Sequence, residues 1–355
     1  MIPQNDDKEY TRLLDRKLQI SRSSGQPIAV DLFAGCGGLA LGLEAAGIKT
    51  VGYEMDSSAC ETYNANLHGI CHQAMLDADF KFEIDHTVDI VVGGPPCQPF
   101  SVGGKQAGPR DSRDGFPAFL AAIEQLQPKV VLFENVRGML FRNKEYLHSI
   151  IEELINLNYV VEKPRVLKAI EYGVPQKRER LFVVAHRTHW EWPDSTHDLP
   201  ISAGEALGGM AFEYSEDSKY LTASMDEYVA RYEKKSKCIR PRDLYLDRPS
   251  RTVTCRNLNG ATGDMMRLKL KNGRRRRLTV REGARLQSFP DWINFCGKEG
   301  SQFNQVGNAV PPLLARAVGD SLLKAIEASE ICSDEIADKQ PLQKDGLFGN
   351  LLIGV

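Results

Sequence analysis

The chain has 355 residues, 42% hydrophobic, 26% charged and 8% aromatic, which fits a folded protein of about two domains and excludes a disordered or fibrous chain. The formal charge of −2 gives no overall bias toward polyanions, and no apolar run approaches the ~18 residues that span a bilayer. Eight scattered cysteines without a Cys-x-x-Cys pair, behind an N-terminus lacking a basic-then-apolar leader, suit a reducing compartment and argue against a disulfide scaffold or zinc ribbon.

A weak apolar stripe at Tyr10, Leu14 and Leu18 predicts a short leading helix, followed by a turn at Ser23-Ser24-Gly25. Pro27 to Ala34 is a mostly apolar run that ends in glycines, the pattern of a buried parallel strand. Leu39, Leu43 and Ala46 then repeat at helical spacing, with Gly47 placed as a C-cap. Further strands are predicted at Ile48–Tyr53, Val88–Val92, Val130–Phe133, Tyr159–Leu167 and Leu181–Ala185. Helices are predicted around Phe116–Leu126 and Lys144–Leu157. Strands alternating with helices imply an α/β fold with a doubly wound, mostly parallel sheet. The alternation stops near residue 187. Thr188 to about Arg277 has no clean periodicity and reads as a smaller irregular domain; helical spacing returns at Val280–Gln287 and at Leu314, Val318 and Leu322.

Charge is unevenly placed. Residues 231–285 hold 18 Lys+Arg against 5 Asp+Glu, including the run Arg274-Arg275-Arg276-Arg277. Such a block attracts polyanions, and phosphate contacts are its natural use, although a solvated basic face would have the same composition.

Five motifs carry chemistry. In Asp31-Leu32-Phe33-Ala34-Gly35-Cys36-Gly37-Gly38 a strand runs through glycines into a helix, which brings backbone N–H groups close to a ligand. Glu54, ending the next strand, is placed to take ribose hydroxyls. The next glycine, Gly42, is too late for Gly-x-Gly-x-x-Gly, so an adenosine-bearing group other than a dinucleotide is favoured. Gly93-Gly94-Pro95-Pro96-Cys97-Gln98-Pro99-Phe100-Ser101 follows a buried strand, and its two prolines stiffen the approach to a cysteine at the sheet edge. A lone cysteine is more often a small buried apolar residue; the rigid loop favours a nucleophile. Glu134-Asn135-Val136 ends the neighbouring strand and sets a carboxylate beside Cys97. In Gln176-Lys177-Arg178-Glu179-Arg180, alternation puts Gln176, Arg178 and Arg180 on one strand face, suited to phosphate or a base carbonyl; a charged edge strand explains the pattern equally. Gly307-Asn308-Ala309-Val310-Pro311-Pro312 opens a helix able to pack back onto the sheet. His68, Cys71 and His72 lack a fourth ligand at zinc spacing, so no metal is expected.

In this order the five motifs resemble those of the DNA (cytosine-5) methyltransferases, with Leu278-Thr279-Val280-Arg281-Glu282 and the segment through Phe289-Pro290 as a further match. The resemblance covers residues 27–187 and 275–325. It implies the class I S-adenosylmethionine-dependent methyltransferase fold. Residues 1–187 with 300–330 would form the catalytic and cofactor-binding domain, 188–299 a target-recognition domain and hinge, and 331–355 a peripheral tail.

It also implies S-adenosyl-L-methionine as cofactor and a flipped-out cytosine in double-stranded DNA as substrate. Cys97 would be the nucleophile, Glu134 would hydrogen-bond the ring, and Arg180 with Arg178 would bind the base carbonyl or a phosphate. Phe33, Ala34, Gly35, Gly37, Glu54, Met55, Asp77, Asn308 and Ala309 would border the cofactor. Pro96, Gln98, Ser101, Gln176, Arg240, Arg242, Arg251 and Arg256 would face DNA. A monomeric, cytoplasmic bacterial modification enzyme with a separately encoded restriction endonuclease is the type the resemblance suggests. The tRNA-methylating branch of the family carries a Cys-Phe-Thr motif that is absent here. A DNA-binding regulator without catalysis is disfavoured by intact Cys97, Glu134 and Arg180. A nicotinamide oxidoreductase is disfavoured by the glycine spacing.

Overall fold

The computed structural model describes residues 7–96, 114–213, 219–237, 242–260 and 263–332. Short apolar runs form the central sheet. Strands β1 (Ile28–Leu32), β2 (Lys49–Glu54), β3 (Ile70–Gln73), β4 (Ile90–Gly93) and β5 (Val130–Val136) run parallel in the order β3-β2-β1-β4-β5. Strands β6 (Val160–Val161) and β7 (Arg165–Lys168) both pair antiparallel with a later strand, which itself pairs antiparallel with β5. Between them lies Pro164, which lacks an N–H for the ladder, so the single strand predicted over 159–167 is two. Two-residue β8 (Gln176–Lys177) precedes that later strand, β9 (Glu179–His186).

Both sheet faces are covered, because successive side chains alternate between them. Ala29, Ile90, Val92, Leu132 and Val184 meet one core, built with helices α1 (Asp7–Lys17), α2 (Gly38–Ala46) and, at the end of the chain, α11 (Pro312–Cys332). Val30, Leu32, Val91, Phe133 and Val183 meet the other, with α4 (Phe116–Leu126) and α5 (Lys144–Asn156). Helix α3 (Ser57–Asn66) lies between β2 and β3. A Cβ at Gly42 would lie 2.4 Å from Ala315 Cβ and 2.4 Å from the Arg316 amide nitrogen; the missing side chain lets α2 seat directly on α11. The last motif therefore does return to the first.

Strand order reverses between β1 and β4. Their carboxyl ends bound a crevice, the place where open α/β sheets bind ligands. Phe33 follows β1 with φ 59°, and this left-handed residue ends the strand earlier than predicted.

The region after residue 187 holds more regular structure than its sequence pattern predicts. It contains α6 (Ala203–Leu207), α7 (Ala223–Lys235), β10 (Ser250–Arg251), α8 (Cys255–Asn259) and a hairpin of β11 (Arg267–Lys269) with β12 (Arg275–Arg277). Helices α9 (Val280–Leu286) and α10 (Glu299–Asn308) follow. Only Val229 of α7 is buried, so this helix carries no stripe to read. Ala203, Val253, Leu258 and Leu268 join the first core, so much of this region packs on the sheet domain.

Much of the basic block is neutralised internally. Arg267 is fully buried between Glu233 and Asp243 at 2.9 and 2.8 Å, and Arg276 is forked on Glu282 at 2.7 and 2.8 Å. Arg275 reaches Asp226 and Asp243. The composition points all of these at polyanions; the fold uses them to hold β11–β12 in place. Lys269, Lys271 and Arg274 remain exposed.

Candidate active site

The β1 loop is ordered by the acid that ends β2. Glu54 accepts the Gly35 amide on Oε2 at 2.9 Å and the Asp56 amide on Oε1 at 2.8 Å. Gly35 and Gly37 take φ values of 55° and 83°, and α2 starts at Gly38. Each Glu54 oxygen keeps acceptor capacity beyond its single amide. Met55 beside it is 66% exposed.

Asp31 lies beneath this loop and is not among the residues singled out from sequence. It is 1% exposed, and its Oδ2 has no hydrogen-bond partner. Burial, and secondarily the nearby Glu54 charge, push its carboxyl well above the usual range. A raised folded-state pKa contributes stability that is complete below the unfolded value, about 4, and is lost as pH rises toward the folded value. Asp31→Asn stays neutral throughout. Its melting temperature relative to the parent is therefore expected to climb as pH rises from about 4 into the neutral range. A gap that does not change across that range would refute the buried neutral acid.

Across the crevice, β4 ends in the Pro-Pro loop, and Asn135 of β5 holds it. Asn135 donates its Nδ2 to the Pro95 carbonyl at 3.0 Å and accepts the Val136 amide on Oδ1 at 2.8 Å, which fixes the amide's orientation. Gly115 donates its amide to the Pro96 carbonyl at 3.0 Å. Cys97, Gln98 and Ser101 lie outside the described residues. Pinning the loop stem is Asn135's evident use, and the sequence signal for it was present in the Glu-Asn-Val motif. Asn135→Ala is expected to lower kcat about 10- to 100-fold with cofactor affinity unchanged, because an ångström of drift at a reacting group has that effect. Asn135→Asp should do no better, since it cannot donate to Pro95. Parental kcat in both variants would remove Asn135 from this role.

One residue before Asn135, Glu134 is 9% exposed and ion-paired through Oε1 with Arg180 Nε at 2.8 Å. In the β5–β9 register Glu134 faces Phe182 and Arg180 faces Val136, so the pair is a diagonal on one sheet face. The approach is oblique: Oε1 has the charge contact but no aligned hydrogen bond. A Cβ on Gly94 would stand 3.6 Å from Glu134 Oε2, which places the carboxylate against the Pro-Pro loop. A buried carboxyl, a guanidinium and a rigid loop thus converge at the carboxyl ends of β4 and β5.

A family model for C-5 cytosine-specific DNA methylases matches residues 29–324. The chain belongs to this family. It is 54% identical over 320 residues to the type II methyltransferase M.AplI of Arthrospira platensis, covering 90% of this chain and 92% of that one. It is 37% identical to M.Eco47II of Escherichia coli, covering 84% and 79%. Among solved structures, a putative DNA modification methyltransferase from an E. coli prophage superposes with a TM-score of 0.63 at 24% identity, covering 85% of this chain and all of that one. The S. pombe Dnmt2 methyltransferase superposes with a TM-score of 0.64 at 19% identity, covering 85% and 99%. These two likenesses establish the shared methyltransferase fold. The protein is a DNA cytosine-5 methyltransferase.

Within the methylase, the residues pointed at ligands from sequence divide into three groups. Glu134, Arg180 and Pro96 gather at one edge of the crevice, and Phe33, Gly35, Gly37 and Glu54 at the other; Asn135, which holds the first edge, has no role assigned from sequence. Ala309 meets the same loop, because a Cβ on Gly38 would lie 3.0 Å from Ala309 Cβ; Asn308 beside it is exposed. Asp77 is exposed in a turn after β3, where its Oδ1 accepts the Asp79 amide at 3.0 Å.

The second group turns inward instead of facing substrate. Arg178 is 1% exposed, with its donors on the Val253, Gly307, Asn308 and Ala309 carbonyls, so the expected direct base or phosphate contact is corrected. Gln176, fully buried, binds Leu286, Gln287 and Val253 and is likewise no DNA contact.

The third group lies after residue 239, outside the central sheet. Arg242 and Arg251 both converge on Asp264, and Arg242 also stacks over Tyr232. Arg256 is exposed, and Arg240 lies outside the described residues. No described helix is long and apolar enough to cross a membrane.

Proposed function

We propose that the protein transfers a methyl group from S-adenosyl-L-methionine to C5 of a cytosine flipped out of a specific duplex sequence. The observation that carries this reading is the Glu134–Arg180 pair set against the Pro-Pro loop at the sheet's switch point, in a chain of this family. The residues at the β1 and β2 ends fit the cofactor. Glu54 retains acceptor capacity for ribose hydroxyls, Phe33 offers a half-buried ring, and the exposed Met55 adds an apolar contact. The bound cofactor supplies an electrophilic methyl group.

Cys97 attacks C6 of the base as a thiolate, which sends an electron pair toward C5 and makes that carbon nucleophilic. Glu134 hydrogen-bonds N3 and the exocyclic amine, stabilising charge as attack proceeds. Arg180 orients the Glu134 carboxyl and reaches toward the base carbonyl. After methylation, loss of the C5 proton and expulsion of the thiolate restore the aromatic ring and the free enzyme. Flipping costs a few kcal/mol, which exposed cations such as Arg256 and Lys271 offset through phosphate contacts.

The relatives are named type II methyltransferases, which supports a modification role beside a separately encoded endonuclease. Transfer of labelled methyl to mixed-sequence duplex DNA, with tRNA in parallel, tests the reading. Label recovered as 5-methylcytosine from DNA supports it. Label in tRNA alone moves the substrate to RNA. Label in neither, with cofactor bound, points to an absent target sequence or a regulator.

A further inference from the structure

Arg178 is a buried cation with no carboxylate on its donors. Nη1 donates to the Val253 carbonyl at 2.8 Å and the Gly307 carbonyl at 3.3 Å, while Nη2 donates to the Ala309 carbonyl at 2.9 Å and the Asn308 carbonyl at 3.5 Å. Its acceptors therefore come from two separate segments. Val253 lies between β10 and α8, in the region read as target recognition. Gly307–Ala309 is the carboxyl end of α10 and its C-cap, and Ala309 packs on Gly38 after the β1 loop. Arg178 itself is two residues before Arg180.

Two glutamines strengthen the same joint. Gln176 accepts the Val253 amide on Oε1 at 2.9 Å and donates its Nε2 to Gln287 Oε1 at 2.6 Å. Gln287 in turn donates to the Val306 and Ala309 carbonyls at 2.5 and 3.3 Å. The two segments also touch directly. A Cβ on Gly307 would lie 2.0 Å from the Cys255 amide nitrogen, so only glycine lets α10 close on the start of α8. Burial, and secondarily the nearby Arg180 charge, pull the Arg178 guanidinium below its ordinary range, while the Glu134 charge opposes them. A cation held this way requires both segments in register, because losing either carbonyl set leaves buried donors unpaired.

We infer that Arg178 is a positioning residue that couples the cofactor-side end of α10, residues 307–309, to the DNA-side segment 252–256, so that filling one site strengthens binding at the other. The proposal rests on the cofactor reading above. A ligand bordering Ala309 fixes the acceptors of Nη2; the same planar fork then fixes Val253, and with it the flanking Arg251 and Arg256.

The test is a coupling measurement on the full chain. S-adenosylhomocysteine affinity is measured by calorimetry without DNA and with a saturating duplex carrying the cytosine mapped by methylation sequencing. The parent is expected to bind about tenfold more tightly with DNA present, within the usual range for coupled sites. In Arg178→Met the ratio should fall toward one, with the DNA-free affinity changed less than about threefold and cooperative melting retained. Arg178→Lys, which keeps charge but not the fork, should recover only part of the ratio. An unchanged ratio in Arg178→Met overturns the proposal even if turnover falls, because a merely structural role lowers activity without altering coupling. If Arg178→Met does not fold, amide exchange in the parent decides: S-adenosylhomocysteine alone should slow exchange at Thr254 and Cys255, and unchanged exchange there overturns the proposal. A parent that binds no S-adenosylhomocysteine at all would sink the cofactor reading; one that binds it without coupling sinks this proposal alone.

Discussion

Cys97→Ala is expected to reduce methyl transfer by about 10⁴-fold or more while leaving S-adenosylhomocysteine affinity within about threefold of the parent, as removal of a covalent nucleophile does in a site whose binding groups survive. Gly35 and Glu54, proposed above to border the cofactor, are ordered by the Gly35 amide on Glu54 and do not depend on the thiol. No neighbouring described cysteine is suited to take over. Cys36, in the glycine loop, is 5% exposed and directs its Sγ to the Gln305 carbonyl at 3.6 Å. Burial pushes its thiol up to about 12, so it carries almost no thiolate at neutral pH. Cys36→Ser should therefore keep its activity, and the two variants together separate nucleophile from bystander. A duplex with 5-fluorocytosine at the target supplies a second readout, since fluorine cannot leave C5 as a proton does. The parent should form a covalent protein–DNA complex that Cys97→Ala cannot. Parental turnover in Cys97→Ala, or a covalent complex formed by it, would sink the thiolate mechanism.

The parts of the fold legible in the sequence are those where local chemistry and tertiary burial agree. Strands β1, β4, β5 and β9 are apolar because both faces are covered, and the glycines and prolines at their carboxyl ends mark the crevice. Helix α3 and strand β3 escape a pattern reading for the opposite reason. Only Ala59, Cys60, Thr62 and Tyr63 of α3 are buried, and Ile70 of β3 stands 61% exposed at the sheet edge. Neither element has the periodicity that would reveal it.

At the site, alternation along Gln176, Arg178 and Arg180 describes a shared face but not what covers it. That is decided by Val253 and Gly307, respectively 75 and 129 residues away from Arg178. The basic block has the same origin. Counting charge along residues 231–285 includes Glu233, Asp243 and Glu282 but cannot reveal that Arg267 and Arg276 are buried on them, because the pairing is set by how α7, α9 and the segment before β10 pack together. The opposite case is Asn135: its place in Glu-Asn-Val is visible in sequence, but its use depends on the Pro95 carbonyl meeting it across two strands.

Glu134→Gln is expected to lower kcat about 10²- to 10⁴-fold, the usual contribution of a positioned acid–base group, with cofactor affinity preserved. The substitution changes almost no volume. Glutamine can still meet the base, but it lacks the carboxyl that, in the mechanism proposed above, hydrogen-bonds N3 and stabilises charge as C6 is attacked. The geometry predicts a second consequence. Glu134 and Arg180 are 11% and 15% exposed at their side chains and lie 2.8 Å apart, so Glu134→Gln also leaves a poorly solvated guanidinium without its counter-ion. Arg180→Met leaves the carboxylate in the converse state. Each single change therefore removes more than one interaction, and Glu134→Gln with Arg180→Met should lose less than the product of the two separate losses. If the pair is instead a passive strut between β5 and β9, melting temperature and turnover would fall together in each single variant. If it is the base-activating pair, turnover in Glu134→Gln falls far beyond what any loss of melting temperature accounts for, while the cofactor affinity and the DNA affinity move little. A kcat for Glu134→Gln within about threefold of the parent would show that the base is not activated through this carboxyl.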